Sequence, residues 1–288
     1  MSDLNFSDKR HPGYEGTDPT KVKLSVVIPA YNEGKRIQPT LEDIDKYLEK
    51  QPYMYEIIVV DNGSSDDTAK VVESYRNEVE HSAVFVLKEP CPGKGCAVQR
   101  GIAQTKGEYI VFMDADNATK ITEMEKVWPK FEEGFDVVIG SRRMPGSKLS
   151  KKQPFIRDFM GRAANWLIQL FAVPGIKDTQ CGFKAFTRKA AHDIFALVTI
   201  EQWGFDIEVL ALARKLGYKI AEIPVTWHHV ETELIKGSSY TNTFMDLLKV
   251  WWNRVSGKYN KLMESKTERW RCLQEGKEPT CKIKERKN

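Results

Sequence analysis

The chain has 288 residues, 41% hydrophobic and 29% charged, with a formal net charge of +4. That is ordinary for a soluble α/β protein with room for one large domain or two small ones, and the absence of any run of about 18 apolar residues excludes a spanning helix. Residues 1–21 are polar and form neither a signal nor a transit peptide, while five cysteines without a CxxC pair read as free thiols of a reducing compartment rather than as zinc ligands.

Residues 23–30 are a near-continuous apolar run, as expected for a parallel strand covered on both faces. Pro29 ends it, and Tyr31, Asn32 and Glu33 follow at its carboxyl end. Residues 36–50 carry Ile37, Leu41, Ile44 and Leu48 at helical spacing. A second strand, 56–60, runs into Asp61-Asn62-Gly63-Ser64-Ser65-Asp66, where Gly63 suits a tight turn and Ser65 or Asp66 can cap the next helix. A third strand is expected at 83–87. Pro92-Gly93-Lys94-Gly95 then opens a helix whose first N–H groups, with Lys94, can hold a diphosphate. The fourth strand, 109–113, ends in Asp114-Ala115-Asp116. Two carboxylates at a strand's carboxyl end suit a hard divalent cation that keeps positions free for substrate phosphates. A helix over 121–133 and a fifth strand at 136–139 lead to Gly140-Ser141-Arg142-Arg143.

Four strand–helix alternations before residue 140 predict a doubly wound, mostly parallel sheet. Glu33, Asp61, Lys94, Asp114, Asp116 and Arg142 all fall after strands or at helix starts, hence on one edge. The second half is less regular. Residues 155–171 form an amphipathic helix, 178–186 a polar loop entering a strand, 205–216 a helix with Asp206 and Glu208 near its start, and 219–227 a strand that Pro224 places at an edge. Residues 244–255 are amphipathic and carry Trp251 and Trp252. Residues 258–288 hold ten Lys/Arg against five Glu, a basic tail suited to an anionic surface. The expected organisation is a polar N-terminal tail (1–22), one domain (23–257) and a basic C-terminal tail (258–288).

The motifs at 26–33 (VVIPAYNE), 59–66 (VVDNGSSD), 93–95 (GKG) and 114–116 (DAD) resemble, in order and spacing, inverting family 2 glycosyltransferases of the GT-A fold. Residues 178–184 (DTQCGFK) and 201–208 (EQWGFDIE) look like the dolichyl-phosphate β-glucosyltransferase branch. The resemblance spans about residues 23–255. It implies a Rossmann-like nucleotide-binding half followed by amphipathic C-terminal helices. It also implies transfer of glucose from UDP-glucose to a dolichyl or polyprenyl phosphate with inversion. Donor-binding positions would be Pro29, Tyr31, Glu33, Asp61, Lys94, Asp114 and Asp116, with Mg²⁺ or Mn²⁺ at Asp114 and Asp116. Arg142 and Arg157 would hold the acceptor phosphate, and Asp206 sits where other members place a base. Mannose synthases of the family tend to carry Gln two residues after the second Asp; here Ala118 stands there, which favours the glucose branch. The glucosyltransferases usually begin with a membrane-spanning helix, so this sequence implies a soluble relative, another anchor or a shortened chain.

A phosphate acceptor is already largely anionic at neutral pH, its second pKa being about 6, so no strong base is needed. What is needed is a cationic cradle, and guanidinium groups match phosphate oxygens. The expected partners are a nucleotide sugar, a lipid phosphate and a membrane surface, without nucleic acid. The setting is the cytoplasmic side of an endoplasmic reticulum or microbial plasma membrane. Rivals are a GDP-mannose-dependent mannose synthase, a family 2 enzyme acting on a glycan hydroxyl with Asp206 as base, and a catalytically dead scaffold.

Overall fold

The computed structural model describes residues 21–78, 83–150, 168–169, 172–229 and 238–279, the last of these with side chains from residue 244. Strand and helix alternate through β1 (Leu24–Ala30), α1 (Ile37–Leu48), β2 (Tyr55–Asp61), α2 (Thr68–Glu78), β3 (Val84–Lys88), α3 (Lys94–Ala103), β4 (Tyr109–Met113), α4 (Met124–Glu132) and β5 (Val137–Ser141). Then come the short β6 (Lys148–Leu149), β7 (Phe183–Thr187), α5 (Arg188–Phe195), α6 (Phe205–Lys215), β8 (Ile220–Pro224) and β9 (Thr226–Trp227). Three helices close the described chain: α7 (Ser238–Val255), α8 (Lys258–Ser265) and α9 (Glu268–Gln274).

Seven strands form one sheet in the order β3-β2-β1-β4-β7-β5-β8. β1, β2, β3 and β4 are parallel neighbours, as are β5 and β8. The expected, mostly parallel sheet is therefore present. It has one departure: β7 inserts antiparallel between β4 and β5, pairing Met113 with Phe183 and Ile139 with Lys184. Pro224 ends the edge strand β8, where a missing N–H costs no ladder bond. The apolar strands are buried on both faces. Ile37, Leu41, Ile44 and Leu48 of α1 pack on one face, and α3, α5 and α6 cover the other. The chain leaves β1 in one direction through β2 and β3, then returns to β4 on its other side. That reversal opens a crevice beyond the carboxyl ends of β1 and β4, the general ligand position of such sheets.

The boundary expected at residue 257 is corrected by the packing. Far from trailing as a tail, α8 and α9 dock on the domain, with Tyr259, Trp270 and Leu273 buried. Tyr259 donates to Glu208 Oε1 at 2.8 Å, and Arg269 Nη2 donates to the buried Glu89 at 2.6 Å. The basic count hid three residues that α8 and α9 bury. The expected helix over 155–171 lies almost wholly outside the described residues, as do Lys151, Lys152 and the N-terminal tail through residue 20.

Helix α7 is amphipathic in the opposite sense to a core helix. Leu247, Val250 and Asn253 face inward and are buried, while Phe244, Met245, Leu248, Trp251, Trp252 and Val255 are exposed. At 100° per residue those six occupy one continuous side. Among the described residues, no helix is long and apolar enough to cross a membrane. Cys91 is disulfide-bonded, which corrects the expectation of free thiols at that position; Cys96, Cys181 and Cys272 form no disulfide.

Candidate active site

The crevice is built from four strand ends. After β1, Asn32 adopts a left-handed conformation (φ 54°). Its Oδ1 accepts the Ser65 N–H at 2.8 Å, and the Glu33 N–H donates to Thr68 Oγ1 at 2.8 Å. Asp66 accepts the Gly34 and Thr68 N–H groups, each at 3.0 Å, so it both caps α2 and ties the first two loops together. Asp61 accepts the Ser64 N–H at 3.1 Å. Pro29, Tyr31, Glu33 and Asp61 thus lie side by side at the carboxyl ends of β1 and β2, as the sequence reading expected.

Glu33 is not a free acid. Arg36 grips it through Nε at 2.6 Å and Nη2 at 2.9 Å. Burial raises its pKa, Arg36 opposes that, and the charges of Asp116 and Asp114 push it further up. Arg36 was missed in the sequence, although its three-residue spacing from Glu33 was a visible signal.

Asp114 and Asp116 follow β4. Asp114 Oδ1 accepts from Lys94 Nζ at 2.6 Å, and its N–H donates to the Gly182 carbonyl at 3.1 Å. Gly182, just before β7, makes this fit: a side-chain carbon there would fall 1.9 Å from Asp114 Oδ2. Asp116 Oδ1 accepts the Ala118 N–H at 3.0 Å. Burial first, then the neighbouring Asp114 charge, raises the Asp116 pKa. The two acids therefore crowd negative charge into a half-buried place, a donor set that fits a hard divalent cation. Among the described residues no group of three or more His, Cys, Asp or Glu is arranged to hold a metal. A cation held here would take its remaining oxygens from substrate or water.

Lys94 opens α3. Burial would lower its pKa, but Asp114, Asp206 and Asp116 outweigh burial and hold it charged. Its ammonium lies 5.4 Å from the Trp203 ring centroid and 6.0 Å from that of Phe205. At the start of α3, where a diphosphate cradle is expected, one first-turn N–H and that of the preceding Gly93 already have protein partners. The Cys96 N–H donates to the Glu201 carbonyl at 3.2 Å, and the Gly93 N–H to Asn62 Oδ1 at 2.8 Å. Gly93 has φ 143°, and a side-chain carbon there would fall 2.1 Å from the Glu201 oxygen. Glycines at 93 and 95 thus serve backbone packing, and the Lys94 side chain turns to Asp114. Asn62 also donates to the Glu89 and Cys91 carbonyls at 3.1 and 2.7 Å, shaping the whole 89–93 loop. It was another residue the sequence reading passed over.

Arg142, after β5, is fixed by Asp178. Nε and Nη2 donate to its two oxygens at 2.7 and 2.8 Å, and the backbone N–H adds a third bond at 2.9 Å. Burial would raise the Asp178 pKa, but the Arg142 guanidinium holds it below the usual carboxylate range. Two donors are used of the five a guanidinium carries, so Arg142 can present the others to a phosphate. Arg157 lies outside the described residues.

Asp206 is brought to the site's floor but not to its surface. Both it and Lys184 are buried, Nζ donating to Oδ1 at 2.5 Å and to the Cys181 carbonyl at 2.7 Å. Asp206, at the position where other members place a base, is thus held by Lys184. Glu208 is structural: it accepts from Thr199 and Ile200 N–H groups at 2.8 and 2.7 Å, and from Tyr259.

Three comparisons bear on this geometry. The profile of Glycosyl transferase family 2 matches residues 25–195. The dolichyl-phosphate beta-glucosyltransferase of Dictyostelium discoideum is 39% identical over 241 residues, 80% of this chain and 74% of that one. The Homo sapiens protein of the same name is 37% identical over 246 residues, 80% and 75% respectively. Among solved structures, glucosyl-3-phosphoglycerate synthase of Mycobacterium tuberculosis, bound to Mn²⁺, UDP and glucosyl-3-phosphoglycerate, superposes with a TM-score of 0.60 at 22% identity, covering 80% of each chain. Mannosyl-3-phosphoglycerate synthase of Rubrobacter xylanophilus gives 0.62 at 18%, over 82% of this chain and 75% of that one, which shows the shared GT-A fold. The chain belongs to glycosyl transferase family 2.

Proposed function

We propose that the protein transfers glucose from UDP-glucose to a dolichyl or polyprenyl phosphate, inverting the anomeric centre and releasing UDP. One observation carries this reading. The site gathers Lys94 and an Asp178-held Arg142 near Asp114 and Asp116, while the acid placed to serve as base, Asp206, is buried on Lys184. Such a site suits a nucleophile that is already ionised. The names of the relatives support the same donor and acceptor classes.

In this mechanism Pro29, Tyr31, Glu33 and Asp61 hold the nucleoside end of the donor, and Asp114 and Asp116 lie under its diphosphate. A divalent cation bound by Asp116, with Asp114 beside it, would neutralise charge on the departing diphosphate. Lys94 supplies positive charge to the same group as the bond to the anomeric carbon breaks. Arg142 positions the acceptor phosphate, one of whose oxygens attacks the opposite face of that carbon. The phosphate brings no proton that must be removed, so Asp206 acts as a positioning residue through Lys184.

The test is nucleotide release with UDP-glucose and GDP-mannose in parallel, with Mg²⁺ or Mn²⁺, with and without a polyprenyl phosphate in detergent. UDP release that depends on the lipid phosphate is expected. Chelating the metal should stop it, and Asp116→Ala should lower it about 100- to 1000-fold. GDP release would move the protein to the mannose branch, and release without lipid phosphate would replace the acceptor with a glycan hydroxyl.

The acceptor lives in a bilayer, and the exposed side of α7 supplies the contact. Its Trp and Phe side chains suit the interface, and the exposed Lys249, Arg254, Lys258 and Lys261 flank them. The protein should float with anionic vesicles, and Trp251→Ser with Trp252→Ser should release it. Recovery unchanged by those substitutions would remove α7 from the membrane. The water-soluble donor supports the cytoplasmic side of that membrane, and the disulfide-bonded Cys91 lends it no support.

A further inference from the structure

Trp203 is 49% exposed, although it lies against Lys94 in the middle of the charge cluster. The loop that carries it is held at three points. The Glu201 carbonyl accepts the Cys96 N–H at 3.2 Å, Gln202 Nε2 donates to the Pro92 carbonyl at 2.8 Å, and the Gly204 N–H donates to Asp246 Oδ2 at 3.2 Å. A loop so fixed cannot fold the indole away, and a large apolar face is left in water at a cost in free energy.

The third tie leads to α7. Gly204 packs so closely there that a side-chain carbon would fall 2.3 Å from Asp246 Cβ. Met245, the next residue, is 62% exposed and belongs to the outward apolar side of α7. Trp203 and Met245 are each one residue from the same contact. The Gly204–Asp246 contact thus ties the loop that carries Trp203 to α7, and the Trp203 ring lies beside Lys94.

We propose that Trp203 binds the isoprenoid carbons adjoining the acceptor phosphate, guiding the chain from the α7 side of the protein to the reacting centre. The inference rests on the polyprenyl-phosphate reading above and adds a chain-binding residue to it. An indole face matches branched, apolar isoprene carbons. A hexose stacked there would also need side chains for its hydroxyls. Two of the polar groups near Trp203 are already engaged, Gln202 Nε2 with Pro92 and Asp206 with Lys184. The observations favour the hydrocarbon.

The experiment uses the full chain with soluble acceptors, phosphates of isoprenoid alcohols with one, two and three units, at saturating UDP-glucose. In the unaltered protein kcat/KM should rise about tenfold on the first added unit, a gain of about 1.4 kcal/mol. Trp203→Ala should flatten that dependence, with KM for UDP-glucose changed less than about twofold, while Trp203→Phe, which keeps an aromatic face, should retain most of it. A chain-length gain that survives Trp203→Ala overturns the inference alone. A rise in KM for UDP-glucose with the gain intact would put the indole on the donor sugar and overturn it likewise. No transfer to any lipid phosphate by the unaltered protein would overturn the acceptor reading and this inference together.

Discussion

Gly182→Ala is expected to lower transfer about a hundredfold or more while leaving the protein folded. Gly182 is not among the residues with positive φ, so alanine meets no backbone penalty there. The conflict is steric. The added carbon would lie 1.9 Å from Asp114 Oδ2 and 2.3 Å from Asp114 Cγ. Asp114 cannot retreat as a whole, because its N–H is bonded to the Gly182 carbonyl at 3.1 Å and β4 pairs with β7 through Met113 and Phe183. The carboxylate must therefore swing by an ångström or more from the position in which it meets Lys94 and, on the proposed reading, the donor diphosphate. Displacements of that size at a reacting centre cost about 100-fold. Crowding of this kind costs about 1–3 kcal/mol of stability. For a chain of this size that lowers Tm by only about 2–4 °C per kcal/mol. Nucleotide release and a melting curve on the same preparation separate the two effects. Full activity in the alanine variant would mean that the Asp114 geometry is not used in transfer.

The sheet was legible because β1, β2 and β4 are nearly continuous apolar runs that end abruptly in polar residues, and a run of that kind has one place to go in an α/β protein. The edge position of Asp61, Asp114 and Arg142 followed from that alone. The inserted strand β7 did not, since an antiparallel partner between β4 and β5 is a long-range choice that no local pattern encodes. Nor did the pairings that define the site. Lys94 meets Asp114, Arg142 meets Asp178 and Lys184 meets Asp206, partners that stand 20 or more positions apart in the chain. In the sequence Lys94, Asp114, Arg142 and Asp206 looked like independent site residues. In the structure three cations are already spoken for by three acids, and the roles change with the partners. The C-terminal segment misled for a related reason. Net charge describes what a solvated surface does, whereas Tyr259 and Trp270 decide whether the segment is solvated at all.

Asp206→Asn should separate the phosphate-acceptor reading from a hydroxyl-acceptor one, because the two expect opposite losses. Lys184 is completely buried, and its ammonium has two oxygen partners, Asp206 Oδ1 at 2.5 Å and the Cys181 carbonyl at 2.7 Å. Its other neighbour is the Phe112 ring, 5.2 Å away. An amide in place of Asp206 leaves a buried positive charge without its counter-ion, a change that costs about 3–5 kcal/mol. A fall in Tm of about 10 °C follows at the usual proportion for this size. Transfer per folded molecule should stay within about tenfold of the unaltered protein, since the attacking phosphate oxygen needs no base. Some loss is expected through Cys181, because its carbonyl precedes Gly182 and so helps set the turn beneath Asp114. Replacing both partners, Asp206→Leu with Lys184→Met, removes the uncompensated charge and should recover most of the stability. A variant that kept its Tm but lost turnover would show Asp206 taking a proton from the acceptor. The acceptor would then be a hydroxyl, and the buried pair would have to open during the reaction.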